Sequence, residues 1–300
     1  MFETVDNIGD KLVNVIKKES KSSNEIEVHE FLARFMTDSI SNVAFGMDSN
    51  SLEDANSMFR KMGKEIVDLD VLGFLKFFFT SSFPELSRRM HFTANKRSVI
   101  DFFHNTFVTK MEQREQQNIF RKDFLQILLE LKKNASLTVS ELASESFIFF
   151  LAGFETSSTL SVFTIYELAL NPDIQQKLRD EIKTGIDEND GKLTYDLLFS
   201  FKFLDMVMNE TLRKYPPGFI NRFSKKDFKI PGTEMIIPAN TDININIFSI
   251  HRDPEYYPDP GKFDPERFKP ENIKNREPLS YIPFGGGPRK CIGKFKWSKT

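Results

Sequence analysis

Pro283-Phe284-Gly285-Gly286-Gly287-Pro288-Arg289-Lys290-Cys291-Ile292-Gly293 is the stretch on which the reading of this chain turns. Three consecutive glycines let the backbone turn tightly and approach a flat ligand closely, while the two prolines stiffen the loop. A loop so stripped of side chains presents one functional group, the thiol of Cys291. Arg289 and Lys290 stand beside it, and neighbouring positive charge favours the thiolate form that a metal requires. A phosphate-cradling loop is the competing reading, but the Lys-Ser/Thr ending that such a loop needs is missing.

Cys291 is the one cysteine in 300 residues. It cannot form an intramolecular disulfide or a multi-cysteine zinc site, so it is either an inert thiol or a deliberate single ligand. Lys and Arg total 41 against 43 Asp and Glu, and 40% of residues are hydrophobic. That balance describes a folded body and gives no basic footprint for nucleic acid. Phenylalanine is the outlier, at 32 copies against six tyrosines. An aromatic without a polar handle suits a large apolar interior, and also a pocket for an apolar ligand. Met1-Phe2-Glu3 opens an acidic, amphipathic stretch rather than a targeting signal. No run reaches the roughly 18 apolar residues of a membrane span. The nearest, from Val71 to Phe79 with Lys76 inside it, is long enough to dip into a membrane surface but not to cross one.

Apolar residues recur at helical spacing over 7–19, 28–46, 53–69, 93–118 and 122–133, with Gly46 as a stop for the second and Lys132-Lys133 suited to a helix C-terminus. Thr138-Val139-Ser140-Glu141 is a capping box, and the pattern behind it runs to Leu170. A helix of about 30 residues is expected there, apolar on every side from Phe147 to Ala152 and therefore buried through its middle. Asn171-Pro172-Asp173 caps the next helix, and a further one over 201–215 stops at Pro216-Pro217. Beyond Pro217 short strands are expected at Phe228 to Ile230, at Ile236-Ile237 and around Ile243, Ile245 and Ile247, with Pro231-Gly232 as a turn. Residues 251–288 are proline-rich with little periodicity, and an ordered loop of that length is usually functional. The fold class is mostly α with a minor β region.

Three segments besides the glycine loop carry chemistry. Glu210-Thr211-Leu212-Arg213, before Tyr215-Pro216-Pro217, sets a carboxylate and a guanidinium on one helix face; alone, such a pair is usually a solvated surface contact. Phe263-Asp264-Pro265-Glu266-Arg267-Phe268 lies in the proline-rich loop. Ala152-Gly153-Phe154-Glu155-Thr156-Ser157 puts an acid and two hydroxyls inside an apolar helix, which is costly unless they are partnered and so marks a functional site; a hydroxyl bonding back to its own helix is the plainer alternative.

Together these segments, in this order, resemble the cytochrome P450 superfamily, and in texture its insect microsomal members that oxidise foreign lipophilic compounds. Phe284, Gly285, Gly287, Arg289, Cys291 and Gly293 match its haem-binding loop. The resemblance implies haem b with the Cys291 thiolate as axial ligand. It implies a buried triad of Glu210, Arg213 and Arg267 that holds the haem loop in place. Ala152 and Gly153 would lie over the haem, and Glu155 and Thr156 would organise proton delivery to bound oxygen. Arg222, like Arg289, would pair with a haem propionate, an Arg–carboxylate geometry with two parallel hydrogen bonds. Phe150, Leu151, Phe154, Phe219 and Ile220 would touch substrate, although such residues are more often core. His251-Arg252-Asp253-Pro254 matches a recurrent family segment with a structural role.

The implied reaction inserts one oxygen atom from O2 into a small lipophilic substrate. Electrons would come from an NADPH-dependent reductase docking on a basic proximal face, where Arg289, Lys290, Lys294, Lys296 and Lys299 occur with no acid from Leu279 to Thr300. The implied location is the cytoplasmic side of the endoplasmic reticulum membrane. Residues 1–300 would form a single catalytic domain, partial at both ends: the anchor and early helices absent, and the helix after the haem loop largely absent. A product without catalysis, binding haem or a hydrophobic ligand at most, is the alternative.

Overall fold

The computed structural model describes residues 2–23, 25–67, 70–134, 137–218 and 220–293. The chain divides into two compact units, Met1–Ser158 and Thr159–Thr300, with one long helix running through the boundary.

The first unit is helical. Helices α1 (Phe2–Glu19), α2 (Val28–Phe45), α3 (Met58–Val67), α4 (Val71–Ser82), α5 (Pro84–Arg89), α6 (Arg97–Gln116) and α7 (Phe124–Asn134) lead into α8 (Val139–Leu170). Gly46 ends α2 in the left-handed region at φ 62°, its N–H returning to Asn42 O, the role its position predicted. The expected helix over 53–69 starts only at Met58. Before it, Asp38 of α2 accepts the backbone N–H groups of Ser51 and Leu52 at 2.7 and 3.0 Å, so residues 51–57 serve as turns. The apolar run becomes α4, whose N-cap Asp70 accepts Gly73 N–H.

Phenylalanine builds the core of this unit. Phe45, Phe103, Phe107, Phe150 and Phe154 are fully buried, and Phe124 stacks on Phe149 with ring centroids 3.8 Å apart. Rings that dense contribute a little beyond their buried area, about 0.5–1.5 kcal/mol per well-placed pair. Arg114 closes the floor of the cluster, donating to both carboxylate oxygens of Asp123 and to Phe45 O.

The capping box forms as expected: Glu141 accepts Thr138 N–H at 2.7 Å and Thr138 Oγ1 accepts Glu141 N–H at 3.2 Å. The burial expected around the middle of α8 does not. Leu142, Ser146, Phe150 and Phe154 face the aromatic core, whereas Ile148 is 58% exposed and Ala152 and Thr156 are exposed too. Periodicity established that the helix is apolar but not how many of its faces find a neighbour. Among the described residues α8 alone is long and apolar enough to cross a membrane by length and composition. That corrects the expectation that no segment qualifies. The helix buries one face of rings and Glu167, which is ion-paired to Lys214, and leaves Ile148, Ile165 and Tyr166 exposed.

In the second unit, α9 (Pro172–Glu188), α10 (Tyr195–Ser200) and α11 (Lys202–Lys214) precede the strands. Asn171 occupies the N-cap of α9 but makes no side-chain cap; its amide turns back to Glu167 O at 2.8 Å, the same carbonyl that accepts the Asn171 backbone N–H at 3.0 Å. The start of α11 is capped from outside, Glu181 accepting the N–H groups of Phe203 and Leu204. Strand β1 (Ile220–Phe223) pairs antiparallel with β4 (Asp242–Ile245), and β2 (Phe228–Lys229) pairs with β3 (Ile236–Ile237) across a turn in which Gly232 has φ 78°. Ile247, expected in a strand, opens α12 (Ile247–Ile250), because Asn246 accepts Ser249 N–H as a cap. The proline-rich segment then holds a 3-10 turn at Pro265–Phe268 and α13 (Pro270–Lys274).

Candidate functional site

The glycine loop is anchored at its entry. Tyr257 donates to Ser280 O at 3.1 Å, Tyr281 donates to Asn209 Oδ1 at 2.9 Å, and Ile282 N–H donates to His251 Nε2 at 2.9 Å. Three successive residues before the loop are therefore bonded to other parts of the unit. The loop then closes on itself: Gly285 N–H meets Ile282 O, and Cys291 N–H meets Phe284 O at 2.9 Å. Gly285 and Gly287 both sit at φ 70°, a conformation that L side chains rarely adopt. Cys291 is exposed, and so are Arg289 and Lys290.

Beneath the loop entry lies a buried ion cluster. Glu210 and Arg213 are wholly buried and joined by two bonds, Nε to Oε2 at 2.6 Å and Nη2 to Oε1 at 2.8 Å. Asp264 N–H also donates to Glu210. Arg213 Nη1 reaches His251 O at 2.9 Å, and Nη2 reaches Pro260 O at 3.0 Å. Arg267 Nε stands 3.6 Å from Glu210 Oε1, an ion pair beyond hydrogen-bond length, while its Nη2 donates to Asp259 O. Burial pushes the Glu210 carboxyl up, and the Arg213 guanidinium opposes that push. The surface-pair alternative for Glu210 and Arg213 thus does not hold: both are wholly buried, and Nη1 and Nη2 of Arg213 tie the proline-rich segment to α11.

His251 shares this cluster. It is fully buried, its ring 5.3 Å from that of Tyr281 and nearly parallel to it, and its pKa is held down at about 4, chiefly by burial. Arg222, on β1 opposite Ile243, is half-buried, and its guanidinium donates to the neighbouring Asn221 O. Ile220, buried on the same strand, lies 3.7 Å from where a side chain on Gly285 would begin.

In the first unit the α8 residues separate by face. Thr156 is exposed with Ala152, and Thr156 Oγ1 donates to Ala152 O at 2.7 Å, the plainer of the two hydroxyl readings. Glu155 and Leu151 are half-buried. At Gly153 an added Cβ would meet Ile40 Cδ1 at 2.7 Å, so the missing side chain lets α2 approach α8. Phe150 and Phe154 are core, packed on one another and, for Phe150, on Phe59 and Phe103. Phe219, Lys294, Lys296 and Lys299 lie outside the described residues.

Sequence reasoning missed the bonds that join His251 to Ile282 and Glu167 to Tyr215. The only signal was the polar identity of residues in apolar surroundings.

The donor set fits a haem with a single protein ligand. One soft sulfur is exposed on a loop cleared of side chains by Gly285 and Gly287, with exposed Arg289 beside it. Among the described residues no group of three His, Cys, Asp or Glu side chains is placed to hold a metal by itself. Such a loop on a mostly helical body is one on which a single cysteine could hold a haem. The cytochrome P450 family model matches residues 1–295, and the chain belongs to that family. It is 43% identical over 299 residues to the probable cytochrome P450 6a13 of Drosophila melanogaster, covering 98% of this chain and 60% of that one. Cytochrome P450 6A1 of Musca domestica is 40% identical and cytochrome P450 6k1 of Blattella germanica 37%, each covering 98% of this chain and 60% of its own. The chain thus spans about three-fifths of the length of these relatives.

Proposed function

We propose that this protein is a haem-thiolate monooxygenase that inserts one oxygen atom from O2 into a small lipophilic substrate, with electrons from an NADPH-dependent reductase. The observation that carries the reading is the self-closed glycine loop presenting Cys291. Haem b supplies the oxygen chemistry when bound, helped by the electron-rich sulfur. Cys291 Sγ would hold the haem iron, and Phe284, Gly285, Gly287 and Gly293 would shape the loop against a flat ligand. Arg222 and Arg289 bind the carboxylates at its edge.

From α8, Ala152 and Gly153 would border the cofactor. Thr156 Oγ1 holds a proton, donated to Ala152 O in this structure, that its rotation would turn away from the helix and make available, and Glu155 one residue before it would resupply that proton. Leu151 and Ile220 touch substrate, with Phe150 and Phe154 supporting them from the core. Residues 1–300 belong to one catalytic domain.

Two surfaces fit the implied setting. Exposed Arg289 and Lys290 suit an acidic reductase. On α4, Val71, Leu72, Phe74, Leu75 and Phe78 are all more than half exposed, with Lys76 among them and Arg88 and Arg89 on α5, as suits contact with a phospholipid surface. These features favour the cytoplasmic face of the endoplasmic reticulum and, with the insect relatives, foreign lipophilic compounds as substrates.

The carbon monoxide difference spectrum of the reduced protein tests the proposal. The shifted Soret band of thiolate ligation is expected in the wild type and absent from Cys291→Ser. A haem-loaded wild type without that band overturns it.

A further inference from the structure

His251 makes two ring hydrogen bonds that together permit one protonation state. Its Nε2 lies 2.9 Å from Ile282 N, and a backbone amide only donates, so Nε2 carries a lone pair. Its Nδ1 lies 3.3 Å from Arg213 O, which only accepts, so Nδ1 carries the proton. The ring is neutral, and no tautomer but the Nδ1–H form satisfies both neighbours. The His251 carbonyl meanwhile accepts from Arg213 Nη1. His251 is thus bonded to the buried ion cluster in both directions and, through its ring, to the residue preceding Pro283.

We propose that His251 is the positioning residue of the cysteine loop: its neutral ring holds Ile282 N–H and with it the loop entry, and protonation at Nε2 releases that entry. A proton from solvent would occupy the lone pair that Ile282 uses, leaving two donors face to face. The loop downstream closes by its own bonds, Gly285 to Ile282 and Cys291 to Phe284, so displacement of Ile282 carries the whole turn. The groups facing the ring favour the neutral state. Arg213 of α11 and Arg276 beyond α13 are cations, Tyr257 and Tyr281 are uncharged rings, and Glu210 is engaged by Arg213. Burial and these cations hold the ring at about 4, against an ordinary value of 6.5.

The consequence for Cys291 rests on its reading as the haem ligand, so the test has two readouts. In the haem-loaded full chain, hydrogen exchange of the peptide containing Ile282 and the thiolate-shifted carbon monoxide band are followed from about pH 8 to about pH 4, a range spanning both values of the ring. Wild type, His251→Gln and His251→Phe are compared. Gln keeps an acceptor that does not titrate; Phe keeps the ring and has no acceptor. The expected result for Phe at neutral pH is exchange at Ile282 faster by about tenfold, the loss of one net hydrogen bond, with a weakened shifted band. Gln restores both, and the acid loss of the band that wild type shows below about pH 5 no longer follows a single ionisation. Equal Ile282 protection in wild type and Phe overturns the proposal, as does a Gln variant with the wild-type acid midpoint. The second comparison decides the matter if the Phe variant does not fold. Should wild type lack the shifted band while Ile282 exchange responds as described, the ligand reading fails and the positioning contact stands.

Discussion

Tyr215 donates its phenolic hydrogen to Glu167 Oε1, 2.5 Å away, joining the residue after α11 to the last turns of α8. Lys214 Nζ lies 2.7 Å from the same oxygen, and the Tyr215 ring stacks on Phe163 at 4.1 Å, nearly parallel. Burial, and then Glu167, push the phenol's pKa well above its ordinary value, so Tyr215 remains a donor. Glu167→Ala strands a mostly buried ammonium and is expected to cost about 3–5 kcal/mol. Tyr215→Phe, which loses one bond to a charged group, costs about 1.5–3 kcal/mol. Urea unfolding of both variants measures the difference.

The cluster of Glu210, Arg213 and Arg267 predicts an asymmetry. Arg213→Lys keeps the charge but loses the fork that serves Glu210, His251 O and Pro260 O together. It is expected to destabilise by about 1–3 kcal/mol, the cost of leaving a buried acceptor without its donor. Arg267→Lys, whose nearest contact to Glu210 is already 3.6 Å, costs under about 1 kcal/mol. Thermal melts of the two variants check the ranking.

Acid should act on the two units in separate windows. His251 has its pKa lowered from 6.5 to about 4, so its contribution is complete above 6.5 and falls as pH drops towards 4, by about 3 kcal/mol in all. Glu30 in the first unit is lowered from 4.5 to about 2, first by its hydrogen bond from Arg60; its contribution persists to about 4.5 and fades only below that. Hydrogen exchange at stepped pH is expected to show the loop entry near Ile282 opening before the Glu30–Arg60 region. Simultaneous loss would refute the separation.

At Gly153 two effects oppose. Alanine gains up to about 1 kcal/mol of helix propensity, but its Cβ would stand 2.7 Å from Ile40 Cδ1. Overpacking of that kind costs about 1–3 kcal/mol. Gly153→Ala alone is expected to destabilise, and Ile40→Val in the same protein to recover most of the loss. A double-mutant cycle by denaturant unfolding should return a coupling of about 1 kcal/mol, and zero coupling would show that the two side chains do not meet.

The amino-acid sequence by itself determined what is local. The Thr138–Glu141 capping box, the left-handed Gly46, the Pro231-Gly232 turn and the Glu210–Arg213 spacing involve partners within a few residues, so chain geometry alone brings them together. The glycine loop was legible for the same reason, since Cys291 bonds back to Phe284 within it. Tertiary structure decided the rest. That Ile282 N–H would find a ring 31 residues away, that Ile40 would fill the space at Gly153, and that α8 would bury Phe150 and leave Ala152 open depend on which distant surfaces meet. Those meetings are settled by apolar burial and by the cost of leaving buried polar groups unpaired, summed over many residues at once. No spacing in the chain records such a sum, and so the ligand loop could be read directly while the histidine that holds it could not.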